Sequence, residues 1–219
     1  MFKKLLPFIV LFSLLFSISC GDAKKAANKK ANSTTNTKTE VKTGVAPVAD
    51  SEIAVIEMAE PAYGTIKIEL YSNIAPQMVE RFKTLAKQGF YNGVTFHRVI
   101  NGTVIQGGDP NSKNNNPDDD GQGDSDLPDL PAEFSDVPFE RGTVGAARQN
   151  DPNTANSQFY ITLRRNPQWD KNYTVFGKVI EGINNADMIA GAPTDKNSPG
   201  RGERPLEDIK IKQITFQPK

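Results

Sequence analysis

Eight short apolar runs, each about the length of one strand, follow one another through residues 51–218 of this 219-residue chain: 53–58, 66–70, 95–100, 104–106, 143–147, 158–163, 174–180 and 209–216. In the second, Ile66, Ile68 and Leu70 alternate with Thr65, Lys67 and Glu69, the period of a strand with one buried face. So many short strands in one stretch of chain close into a barrel or stack as a sandwich. Two stretches keep a helical period instead. In residues 76–88, Val79, Phe82 and Leu85 share one face, with Pro76 in the first turn and Gly89 just past the end. Around residues 184–190, Ala186, Ile189 and Ala190 give a second, shorter helix. Residues 51–219 have room for one hydrophobic core.

The chain ahead of that domain reads differently. Lys3 and Lys4 precede an apolar run ending at Phe16, then small residues and Cys20, the layout of a secretory signal over residues 1–20. The run is too short to cross a bilayer. Cys20 is the only cysteine, so no disulfide forms within one chain. Its position resembles a bacterial lipobox, in which cleavage leaves an acylated cysteine, although Ser17 stands where that pattern usually has leucine. The expectation is an exported protein, lipid-anchored through Cys20 to a bacterial membrane and facing periplasm or cell surface. Residues 21–50 are mostly Lys, Asn, Thr and Ala with no aromatic residue, the composition of a disordered spacer. Such a spacer spans roughly 30 Å as a flexible chain. The 26 basic and 26 acidic residues balance, and losing Lys3 and Lys4 with the signal leaves no positive excess. No nucleic-acid partner is expected.

Several kinds of chemistry lack their residues. His97 is the only histidine, so neither a Ser/His/Asp triad nor, with Cys20 lipidated, a Cys/His pair can be assembled. A zinc site of the usual kind lacks ligands, and no phosphate loop or Gly-x-Gly-x-x-Gly run is present. Neither metal nor cofactor is expected, and an enzyme built from this chain must work by shape and electrostatics. The stretch from Phe96 to Asp109 offers a place for it, because it sets one arginine and one glutamine on two apolar strands joined by a tight turn. A two-residue loop at Asn101-Gly102 would set Arg98 opposite Ile105, with Gln106 facing away. A three-residue loop, Asn101 to Thr103, pairs Arg98 with Gln106 and gathers Val99 and Ile105 on the other face. The three-residue loop is expected. His97 then faces away from Arg98, as a buried, hydrogen-bonded histidine rather than a catalytic base.

That stretch resembles the signature of the cyclophilin family of prolyl isomerases. Two later segments fit the same family, Gly142 to Arg148 continuing through Asp151 to Thr162, and Trp169 to Val179. The resemblance implies a mainly β fold, an eight-stranded antiparallel barrel capped by two α-helices, and catalysis of rotation about X-Pro bonds; with the expected export signal, its clients would be proteins folding outside the cytoplasm. It implies Arg98 as catalytic donor and Gln106 as a polar partner for the substrate backbone. Ala147 and Gln149 would offer backbone contacts, Val104, Tyr160, Trp169 and Tyr173 would surround the proline ring, and Thr103 would sit at a substrate-binding position without the aromatic contact its usual phenylalanine makes. Several letters depart from the usual pattern. Thr103 and Tyr160 stand where the family has phenylalanines, Val104 where it has methionine, Gln168 where many relatives have tryptophan, Trp169 where they have leucine, and Tyr173 where they have histidine. Reduced turnover and weak cyclosporin binding are the corresponding expectations. The implied partners are proline-containing polypeptide segments, met by a monomer. The alternative is a binding module on the same barrel, or a surface lipoprotein, with little turnover.

The chemistry asked of Arg98 is specific. The X-Pro barrier, about 18–20 kcal/mol, comes from donation of the prolyl nitrogen lone pair into the carbonyl. A guanidinium that hydrogen-bonds this nitrogen in the twisted amide binds the transition state better than the ground state. Lowering the barrier by about 7 kcal/mol would accelerate rotation roughly 10⁵-fold.

One loop invites a different expectation. Asp118, Asp120, Gln122, Asp124, Asp126 and Asp129, with Gly123 at the sixth place, loosely imitate a calcium loop. Flanking helices are missing from the pattern, Pro128 interrupts its last turn, and an aspartate stands where the twelfth-position glutamate belongs, which favours a solvated acidic loop.

Overall fold

The structure, a computed structural model, describes residues 40–195 and 202–219. The signal over 1–20, Cys20 and spacer residues 21–39 lie outside the described residues.

All eight expected strands form, in one antiparallel sheet. In chain order the domain contains β1 (Val41–Lys42), β2 (Glu52–Met58), β3 (Thr65–Leu70), α1 (Pro76–Lys87), β4 (Arg98–Ile100) and β5 (Val104–Gly107), followed by β6 (Phe134–Ser135), β7 (Thr143–Ala146), β8 (Phe159–Thr162), β9 (Val175–Glu181), α2 (Ile183–Ala190) and β10 (Ile211–Pro218). The large sheet runs β10-β2-β3-β9-β7-β8-β5-β4. It curls until its ends approach: Thr95, just ahead of β4, pairs with Lys210, just ahead of β10. Backbone bonds from Phe96 to Ile209 at 3.0 Å and from Ile211 to Val94 at 2.8 Å join the two edges. That closure leaves β4 shorter than the apolar run 95–100 suggested.

The strand alternation sends one face of each strand inward. Ile56, Ile66, Ile68, Ile105, Ile161, Phe159 and Phe176 are fully buried in the main core. α1 closes one end with Phe82, whose ring centroid lies 5.4–5.5 Å from those of Tyr91, Phe159 and Phe176. Ala75, at the N-cap of α1, has no capping side chain. Glu133 supplies the acceptor from a distance, taking hydrogen bonds from the Gln77 and Met78 amides at 3.1 and 2.9 Å. An anion there also suits the helix dipole.

The domain reaches further toward the N-terminus than the expected start at Ser51. β1 pairs with β6 in parallel, Val41 with Phe134 and Lys42 with Ser135, so 41–50 belong to the barrel domain rather than to the spacer. The attachment is made by groups that composition does not reveal. Val48 N–H bonds the Asn73 side chain, whose amide returns a bond to Ala46 O, and the Lys42 ammonium bonds Ile74 O at 2.7 Å. Asp50 meets Lys83 at 2.6 Å, both about 16 % exposed. Burial pushes the Asp50 carboxyl up, but hydrogen bonds from Lys83 and Ser72 outweigh it and hold the pKa below the usual carboxylate range.

Candidate active site

The hairpin uses the three-residue loop. Arg98 pairs with Gln106, Val99 with Ile105 and Ile100 with Val104. Gly102 supplies the positive φ of 64° at the third position of the turn closed by Thr103 N–H on Ile100 O. Register then carries the site across four strands. Arg98 on β4 faces Gln106 on β5, Gln106 faces Tyr160 on β8, and Tyr160 faces Gly145 on β7. These four share the outer surface, while Val99, Ile105, Ile161 and Val144 in the neighbouring row fill the core.

A recess of about 150 Å³ opens on this row, lined by Arg98, Val104, Gln106, Ala147, Arg148, Tyr160, Trp169 and Tyr173. Its floor is aromatic. Tyr160 meets Trp169 at 5.1 Å and Tyr173 at 6.1 Å between ring centroids, and Phe139 beneath stacks on Tyr160 at 6.0 Å. Gly145 is obligatory here, because a Cβ would lie 2.5 Å from Tyr160 Cζ. The tyrosine hydroxyl is buried without a hydrogen-bond partner among the described residues, and burial pushes its pKa well up. The turn that presents Trp169 and Tyr173 holds Lys171 at φ 61°, the one non-glycine residue at positive φ among those described.

The rim is polar and ordered by a chain of hydrogen bonds. Gln158 Nε2 donates to the Gly121 and Gly123 carbonyls at 3.0 and 2.9 Å, which turns its Oε1 toward Gln106 Nε2 at 3.0 Å. Gln106 Oε1 then accepts from Arg98 Nη1 at 3.3 Å. Arg98 Nε meets Glu203 Oε2 at 2.5 Å. Arg148 lies over Tyr173, 4.4 Å from the ring centroid, and donates to the carbonyls of Gln149 and Asn172.

Most of the expected residues converge. Arg98, Val104, Gln106, Ala147, Tyr160, Trp169 and Tyr173 all line the recess. Gln149 lines a smaller neighbouring recess of about 70 Å³ instead. Thr103 lines neither, because it sits in the turn, where its carbonyl accepts from Leu163 N–H at 2.8 Å. His97 is buried as expected, yet neither ring nitrogen has a hydrogen-bond partner among the described residues. Burial, with Arg98 and Arg204 nearby, lowers its pKa to about 4, which makes it a weak base, and it does not line the recess. Within the acidic loop, Asp120 pairs with Arg204 at 2.6 Å and Asp129 accepts from Asn156 at 3.0 Å. No group of three or more ligating side chains converges among the described residues.

Four contributors were missed from sequence: Arg148, Phe139, Gln158 and Glu203. Gln158 carried a signal, since it is two residues from Tyr160 and shares its strand face. Arg148 lay between two expected residues. Phe139 and Glu203 carried none, because their contacts depend on tertiary approach.

Donors at the edge of an apolar slot suit recognition of a small ring next to an amide. Comparison with known proteins agrees. Residues 53–216 match the family model described as cyclophilin type peptidyl-prolyl cis-trans isomerase. A probable peptidyl-prolyl cis-trans isomerase of Brucella suis is 46 % identical over 148 residues, covering 66 % of this chain and 74 % of the relative. The mouse peptidyl-prolyl cis-trans isomerase-like 3 is 39 % identical over 159 residues, covering 70 % and 90 %. The crystal structure of a Cryptosporidium parvum cyclophilin type peptidyl-prolyl cis-trans isomerase superposes with a TM-score of 0.67 at 29 % identity, covering 77 % of this chain and 98 % of that one. A second crystal structure of that protein was determined in the presence of the dipeptide Ala-Pro. With sequence, register and recess in agreement, this chain belongs to the cyclophilin-type peptidyl-prolyl cis-trans isomerases, and it is an isomerase of that kind.

Proposed function

We propose that the chain accelerates X-Pro rotation in proteins folding outside the cytoplasm, and that Arg98 is the group that does so. The supporting observation is the cross-strand row, which holds a guanidinium at the edge of an aromatic recess. A proline ring seated over Tyr160, Trp169 and Tyr173 leaves its nitrogen at the rim, within reach of Arg98. As the amide twists, the lone pair returns to nitrogen and accepts from the guanidinium, a bond the planar amide cannot make. Gln106 and Ala147 hold the adjoining peptide groups, and no proton changes hands.

Uncatalysed X-Pro exchange takes tens to hundreds of seconds, so a chain emerging from an export channel gains from a catalyst near the membrane. The basic and apolar N-terminus followed by Cys20 supports a lipid anchor that keeps the isomerase there as a monomer. Metabolic labelling with a fatty acid, lost on Cys20→Ala, tests the anchor.

The deciding measurement is exchange in an Ala-Pro-containing tetrapeptide, with the full chain beside Arg98→Ala. Loss of at least about 10²-fold in kcat/KM is expected, the scale of removing one preorganised donor. Equal rates near background would make the barrel a proline-peptide binder instead.

A further inference from the structure

Arg98 sits between two spaces. It lines the 150 Å³ recess on one side and a cavity of about 510 Å³ on the other, with His97, Asp120, Gly121, Glu203 and Arg204 among the walls of the larger. Its side chain is 41 % exposed. A long, half-exposed arginine with open volume on both sides has many rotamers to choose from. The 3.3 Å contact with Gln106 is a weak restraint on its own.

Glu203 supplies the second restraint. Its carboxylate takes Arg98 Nε, and its own carbonyl accepts from Val99 N–H at 2.7 Å, one residue along the same strand. The residues that follow it are fastened to the rest of the domain. Arg204 bonds Asp120 at 2.6 Å and Asp208 at 3.0 Å, Pro205 bridges to Thr194, and Leu206 N–H reaches Pro193 O at 2.9 Å. A carboxylate on a fixed backbone can orient a guanidinium; one on a loose loop would only follow it. With Nε held by Glu203 and Nη1 by Gln106, Nη2 is the nitrogen with no hydrogen-bond partner among the described residues. Exposure at both ends, 41 % and 49 %, makes the pair a poor source of stability. Its effect is on direction.

We propose that Glu203 is a positioning residue for Arg98: by holding Nε from the wall of the larger cavity, with Gln106 on Nη1, it restricts rotation of the guanidinium at the boundary of the two spaces and leaves Nη2 as the donor free for a substrate in the proline recess. This rests on Arg98 being the donor, and the test separates the two. Tetrapeptide exchange and thermal unfolding are measured on the full chain and on Glu203→Ala, Glu203→Gln, Arg98→Ala and the Arg98→Ala/Glu203→Ala double variant. Glu203→Ala is expected to lower kcat about tenfold, a fraction of what an ångström of misplacement can cost. KM should stay within about twofold and the unfolding midpoint should not move, as befits an exposed pair. Glu203→Gln, which still accepts from Nε without the charge, is expected to fall between parent and Glu203→Ala. It also carries the test if the alanine variant unfolds early. In the Arg98→Ala background, Glu203→Ala should change nothing, because an orienting group has nothing left to orient. Parent-like kcat in both Glu203 variants, an effect confined to KM, or an equal loss with Arg98 absent would each overturn the proposal. A parent no faster than Arg98→Ala would instead overturn the donor role itself.

Discussion

The floor and the rim of the recess are built by different means. Phe139, Tyr160, Trp169 and Tyr173 hold one another by ring contacts 5.1–6.5 Å apart, and Phe139 is fully buried. Arg98, Gln106 and Gln158 are held end to end by directed hydrogen bonds, with Arg98 well exposed. The burial of these rings depends on filled volume, so the floor fails when a cavity opens. Hydrogen bonds depend on angle, so the rim fails when a group turns. The floor decides whether a ring is captured, and the rim decides what happens to the bond beside it.

Substitutions should separate the two, and the largest effect is expected at the rim. Arg98→Ala should lower kcat by about 10²- to 10³-fold while the unfolding midpoint stays put. A parallel loss of stability would mean that the guanidinium is structural and that rim and floor are not separable. Phe139→Ala should do the reverse, costing about 3 kcal/mol in denaturant unfolding, the low end for a buried phenylalanine, and raising KM more than it lowers kcat.

Acid probes the layer beneath the rim. Because the folded pKa of His97 lies near 4 against an ordinary 6.5, the unfolded chain binds the proton more readily. Its contribution is complete above pH 6.5 and is lost as pH falls toward 4, up to about 3 kcal/mol. Asp124 works against it. Burial, then the nearby carboxylates Asp129 and Asp109, raise its pKa to about 6, so protonating it favours the folded state over the same interval. Between pH 7 and 4.5 the His97 contribution should therefore lower the urea midpoint of the parent relative to that of His97→Phe. The smallest effect is expected at the floor's own defect: Tyr160→Phe removes a buried hydroxyl with no partner among the described residues and should stabilise by about 1 kcal/mol. A destabilised variant would show that the hydroxyl is bonded after all.

Much of the site was legible because strand parity is local arithmetic. Once the loop between β4 and β5 is three residues long, Arg98 and Gln106 must share a face, and Val99 and Ile105 must share the other. The eight strands and both helices were legible for the same reason, each having its own period. What escaped notice comes from elsewhere in the chain. Glu203 reaches Arg98 across 105 residues, and nothing within either segment marks the meeting. The 41–50 attachment was missed because it is made by backbone amides, Asn73 and one half-buried ion pair rather than by an apolar pattern. Thr103 does not line the recess: the family's phenylalanine at this turn position is long enough to reach a pocket, and the shorter threonine side chain is no substitute for it.

The three-residue loop also bears on how such a gene can change. Replacing one codon at residues 101–103 alters a side chain in the turn and leaves the register of Arg98 and Gln106 intact. Deleting one codon there changes the count, and with it the face on which every later residue of β5 emerges. Gln106 would turn inward and Ile105 outward, so the site would be lost in one step while the composition barely changed. Lineages can drift at Asn101 and Thr103, though less at Gly102 with its positive φ, but the length of the turn is expected to stay fixed wherever the pairing of Arg98 with Gln106 is under selection.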